Sequence, residues 1–79
     1  MTSDRQSVVQ ADLLAAHDAM SAHPGAPSQQ VREYIELGAL DLARDAIRDW
    51  LTESGVTLDT RAMQALARAD MTLRVERLD

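Results

Sequence analysis

The stretch GALDLARDAIRDWLTESG, residues 38–55, decides the fold. Its apolar residues Leu40, Ala43, Ile47, Trp50 and Leu51 recur at helical spacing, and a glycine stands at each end. Residues three and four apart share one face of a helix, so the spacing predicts an amphipathic helix from about residue 39 to about 54, closed by Gly55. Gly38 suits the left-handed position just past a preceding helix better than a helix interior, so a break is expected there.

The same period runs outward in both directions. Toward the N-terminus, Val9, Leu13, Ala16 and Met20 share one helical face, and Ser3 or Ser7 can start that helix; Ser3 with Gln6 has the capping-box spacing. HPGAPS at 23–28 stops it, because Pro24 restricts His23 and Gly25 with Pro27 favours a turn. Ser28 then reads as the N-cap of a second helix with Val31, Tyr34 and Ile35 on its apolar side. Beyond Gly55, Val56 links to a last helix capped by Thr57 or Asp59 and running to the mid-seventies, with Met63, Leu66, Ala67 and Leu73 as its expected apolar face. No run alternates as a strand would, and Phe is absent. The expected fold is all-α: one domain, a compact four-helix bundle with short connections.

One column on the third helix is unusual. Asp41, Asp45, Asp49 and Glu53 recur every four residues, drifting from about 100° to 220° around the helix when Leu40 is taken as zero. Like charges at this spacing cost about 0.2–0.5 kcal/mol per pair. Arg44 and Arg48, three residues after Asp41 and Asp45, are placed to relieve two of them. The column fits a solvated face with local ion pairs, and it equally fits a docking ridge for a basic partner, with Glu33 and Glu36 on the second helix extending it. Trp50 at the edge of the apolar face reads as core or as an interface anchor, and Tyr34 carries the same two readings. Asp70 falls on the apolar side of the last helix, where a carboxylate needs a partner such as Arg74, or marks a contact site.

Charge and composition narrow the function classes. The net charge is -5, and all eight basic residues are arginine. An acidic chain lacks the phosphate-neutralising surface that nucleic-acid binding needs. A regulator reading DNA or RNA through Arg61, Arg68, Arg74 and Arg77 is diluted by Asp59, Asp70, Glu76 and Asp79. His17 and His23 miss the spacing of a helical metal pair, and no nucleophile–base pair or phosphate-cradling glycine loop occurs. No metal, cofactor or enzymatic activity is expected. The start MTSDRQSVVQ lacks the pattern of a secretory signal, no segment approaches the ~20 apolar residues of a membrane span, and there is no cysteine. The expected location is the cytoplasm. A single core this small supplies about 3–5 kcal/mol, so a monomer or weak homo-oligomer that gains from a partner is expected.

The segment VREYIELGALDLARDAIRDWLTESGVTLD, residues 31–59, resembles the middle of small bacterial immunity proteins of the MafI and colicin D immunity type. The resemblance lies in a short helix ending at Gly38, then Leu42-Ala43, Ile47, Asp49 and Leu51, and a short link to a capped last helix at Thr57. Ala39 and Leu40 stand where such proteins often carry an acidic and an aromatic residue. The resemblance implies a helix bundle that binds a toxin domain one-to-one, many such toxins being nucleases with basic clefts. Recognition would then fall to Asp41, Asp45, Asp49, Glu53, Glu36 and Tyr34. A structural or regulatory module that self-associates through an apolar helix face, or docks on a larger protein, is the competing expectation.

Overall fold

Glycine and proline set the helix boundaries. The computed structural model describes residues 3–77, with side chains from 6 to 75. Its elements are α1 (Ser3–Met20), α2 (Ser28–Glu36), α3 (Leu40–Ser54) and α4 (Thr60–Arg77), with no strand among the described residues. The fold is an all-α four-helix bundle, 37 × 22 × 18 Å.

Between α2 and α3 the chain turns at Gly38, with φ +77°. Its N–H donates to the Ile35 carbonyl at 3.1 Å and the next N–H, of Ala39, to the Tyr34 carbonyl at 2.8 Å. Those two bonds form a Schellman motif, which satisfies carbonyls that the helix end would otherwise strand. The break expected at Gly38 is therefore real. At the other end of α3, Gly55 (φ +71°) donates to the Leu51 carbonyl at 3.0 Å.

The helix starts differ in how they are capped. Asp59, rather than Thr57, caps α4, its Oδ1 accepting from the Ala62 N–H at 3.3 Å. Ser28 does not cap α2 as expected. Pro27 holds the cap position and Ser28 is already the first helical residue, with no side-chain cap bond. Pro27 presets φ near its observed -79°, and its carbonyl accepts from the Val31 N–H at 3.0 Å. The proposed Ser3 side-chain cap of α1 lies outside the described side chains.

Every residue of the stripe expected on α1 is buried: Val9, Leu13, Ala16 and Met20. They meet Val31 and Ile35 of α2, Leu40, Ala43 and Ile47 of α3, and Leu58 from the linker in one core. Burying a large aliphatic side chain of this kind contributes about 1.5–3 kcal/mol.

The expected face of α4 is corrected in part. Leu66 and Leu73 are buried, but Met63 and Ala67 are exposed, and the inward positions are Ala62, Ala65 and Ala69. The buried stripe is rotated from the one expected because small residues let α4 lie close along α1, the most extensive helix contact in the molecule. Packing of α2 on α3 is next, and α3 touches α4 least.

A pair joins α1 to α4. Asp12, 8% exposed, receives the Arg68 guanidinium at 3.1 Å. That hydrogen bond, and then the attraction of the Asp12 charge, raises the Arg68 pKa above its ordinary value. No helix among the described residues is long and apolar enough to cross a membrane.

Candidate partner-binding groove

The outer side of α3 meets α2 and the turn before it in an open groove of about 480 Å³. Leu42, Asp45, Ala46, Asp49, Trp50 and Glu53 of α3 form one wall; Gln30 and Tyr34 of α2, with Gly25 and Pro27 of the turn, form the other. Helical geometry explains the first wall. Positions 42, 46, 49, 50 and 53 are spaced by three and four, so they share a face.

Of the expected recognition residues, Tyr34, Asp45, Asp49 and Glu53 come together in this groove. Asp41 and Glu36 do not line it. Glu36 pairs with Arg32 at 3.3 Å on the exposed side of α2. Asp41 lies at the start of α3, half-buried, with Oδ1 buried and accepting no hydrogen bond. The positive end of the α3 dipole is the favourable field at that position.

The ion pairs expected within α3 take another form. Arg44 was placed to relieve Asp41; instead its Nε and Nη2 donate to Asp45 Oδ1 at 3.1 and 2.9 Å, and its Nη1 lies 3.4 Å from Asp70 Oδ1. Arg48 was placed to relieve Asp45; instead it donates to Asp70 Oδ1 at 3.3 Å. Arg74 approaches the other oxygen of Asp70 at 3.2 Å, the partner expected for it. Asp70 thus gathers three guanidinium groups and ties α4 to α3. Arg44 is only 5% exposed, so its charge needs both carboxylates.

The consequence for the groove is a division among its carboxylates. Asp45 is held by Arg44. Asp49 and Glu53 are exposed and have no ion-pair partner among the described residues. Beside them stand apolar groups that water solvates poorly. Leu42 is 52% exposed, on the side of α3 away from the core. Trp50 is half-buried: it packs against the core, its ring meets His23 at 5.7 Å between centroids with a 56° tilt, and it also lines the groove. Tyr34 packs against the core, and its hydroxyl oxygen accepts a hydrogen bond from Gln30 Nε2 at 3.0 Å.

Leu42, Pro27 and Gln30 were not among the expected site residues. Leu42 carried a signal, since a leucine opposite the apolar stripe of an amphipathic helix is out of pattern. Pro27 and Gln30 carried none, because only the packing of α2 on α3 brings them there.

A second cleft of about 340 Å³ lies between α3 and α4, over Leu51, Met63 and Leu66, but its charged rim, Arg48 and Asp70, is already paired with itself. Among the described residues no group of three or more His, Cys, Asp or Glu is placed to hold a metal ion. No protein-family model, curated protein or solved structure matches this chain.

Proposed function

We propose that this chain is an immunity-type inhibitor. It docks one-to-one on a basic protein domain, of the nuclease-toxin kind, and covers that domain's active-site cleft with the outer face of α3. The observation that carries this reading is the placing of Asp49 and Glu53, without ion-pair partners among the described residues, beside solvent-facing Leu42 and half-buried Trp50 in one groove. Carboxylates without internal partners speed and orient encounter with a basic surface, and an aromatic anchor beside them supplies the desolvated contact that holds the complex. The net charge of -5 acts in the same direction at long range. Occlusion asks only for a preorganised complementary surface, and the turns at Gly38 and Gly55 fix both ends of α3. The resemblance of residues 31–59 to small immunity proteins agrees with this reading.

The test is co-purification of the tagged chain with the product of its adjacent gene, followed by charge reversal. Asp49→Arg with Glu53→Arg is the informative pair, because Asp45 also anchors Arg44 and its reversal would disturb the fold. The double reversal should weaken the complex by about 2–5 kcal/mol, with the loss shrinking as salt is raised. Affinity unchanged within twofold would remove the groove from the mechanism.

One observation favours a second reading, a self-associating module. Met63, Met71 and Val75 leave apolar surface on the outer side of α4, with Met71 69% exposed. Sedimentation of the free chain separates the readings: a discrete dimer at micromolar concentration supports the module, and a monomer supports the inhibitor.

A further inference from the structure

We infer that the groove is a receptor for an arginine side chain, its guanidinium seated on Trp50 between the carboxylates of Asp49 and Glu53. This rests on the preceding reading for the kind of partner, and adds which side chain that partner presents.

Three features select arginine. First, the groove is amphipathic rather than merely acidic: Leu42, Trp50 and Tyr34 contribute apolar surface, while Asp49 and Glu53 contribute charge. A guanidinium is flat and weakly hydrated, so it can stack on an aromatic ring while its edge donates to carboxylates. A lysine ammonium is a compact, strongly hydrated charge that would have to shed water above an apolar surface. Second, Trp50 and Glu53 are three residues apart on α3 and Asp49 and Glu53 four, and all three line the groove. Asp49 and Glu53 repel each other at i, i+4, and a cation shared between them relieves that repulsion. Third, about 480 Å³ lies at the small end of the ~300–1,000 Å³ of ligand pockets, suited to one long side chain and its adjoining backbone. Tyr34 serves that backbone. Its oxygen already accepts from Gln30, which leaves the hydroxyl proton to donate to a carbonyl of the incoming segment.

Trp50 is the sole tryptophan, so its indole N–H resonance and its fluorescence report on the groove alone. The full chain is titrated at low salt with acetyl-Gly-Arg-Gly-amide and, separately, with acetyl-Gly-Lys-Gly-amide. The arginine peptide should give a saturable shift of the Trp50 indole N–H, half-saturating at a concentration about two- to fivefold lower than the lysine peptide, the increment expected from cation–π stacking on the solvent-accessible part of the ring. Asp49→Asn with Glu53→Gln should abolish saturation while leaving the far-UV circular dichroism unchanged. Trp50→Leu, followed through the Gln30 side-chain amide, should equalise the two peptides.

Equal half-saturation in the wild type, no shift with either peptide, or a shift indifferent to the Asp49 and Glu53 changes would each overturn the inference. Failure of the two readings is distinguishable. An arginine preference in a chain whose partner complex ignores the Asp49→Arg/Glu53→Arg change overturns the docking reading and leaves the receptor. A complex lost on charge reversal without any arginine preference overturns the receptor alone.

Discussion

Replacing Asp70 by asparagine keeps the shape of the side chain and removes its charge, and the cost should fall mainly through Arg44. Asp70 has three arginine neighbours of unequal need. Arg48 and Arg74 have side chains 49% and 64% exposed, so water can replace the carboxylate. Arg44, with its side chain 6% exposed, would keep only Asp45 as a counter-charge. Stripping one partner from a buried ion pair costs about 3–5 kcal/mol. The 20% exposure of Asp70 and the surviving Asp45 contact reduce this to about 1.5–3 kcal/mol. A loss of about 2 kcal/mol in a domain of this size lowers Tm by roughly 8–16 °C.

The companion variants sharpen the test. Arg48→Gln and Arg74→Gln should each cost less than about 1 kcal/mol. Arg44→Met removes the buried charge itself and leaves Asp70 with two exposed partners, so it should be milder than Asp70→Asn despite altering the more buried residue. Urea and thermal unfolding followed by far-UV circular dichroism give all four values. If Asp70→Asn lies within 0.5 kcal/mol of wild type, or Arg74→Gln costs as much, the assignment of the loss to Arg44 is refuted.

The remaining predictions concern single contacts. Asp59→Ala should cost about 1 kcal/mol by removing the α4 cap, while Ser28→Ala should be nearly neutral because Ser28 makes no cap bond; equal losses in urea midpoints would contradict the capping assignment. Gly38→Ala should cost about 1–2 kcal/mol from its φ of +77° alone, since an added Cβ meets only Gln6 Nε2 at 3.9 Å; a stabilised variant would show that the turn can adopt another backbone. Arg68→Gln should lower Tm by the same amount from pH 6 to pH 10. The Arg68 pKa is raised in the folded chain, so its contribution is fully present below the ordinary arginine value of the unfolded chain and is lost only as pH rises through the higher folded value. A difference that faded above pH 8 would assign the effect to some other group.

Most helix limits were legible because their causes are local: Gly38 and Gly55 take positive φ and Asp59 reaches its own first turn, whereas the start of α2, expected at a Ser28 cap, falls instead to Pro27. The stripe of α1 was legible because large apolar residues mark it. The inward face of α4 was misplaced because Ala62, Ala65 and Ala69 pack by being small, which hydrophobic periodicity does not weigh, while Met63 drew the face toward solvent. The acidic column was visible as a pattern, but which of its members share a groove was not. Asp45, Asp49 and Glu53 line the groove, but Asp41 does not. Arg44 and Arg48 were matched to neighbours on their own helix, whereas both reach Asp70 on α4, with 22 residues separating Arg48 from it. Such partners are chosen by how helices pack, and a single helix seen alone holds no record of them.

The Asp12–Arg68 contact spans 56 positions of chain, and the two helices that it joins are the first and the last. Helices α2 and α3, by contrast, meet across a short turn, so their pairing is inexpensive in loop entropy and can form early. Helix α1 packs on α2 and α3 as well, but its most extensive contact is with α4, far along the chain. Closing α4 on α1 is thereby the long-range step of the fold, and a change that loosens α4 alone leaves α2 and α3 paired while opening one side of the α1 stripe.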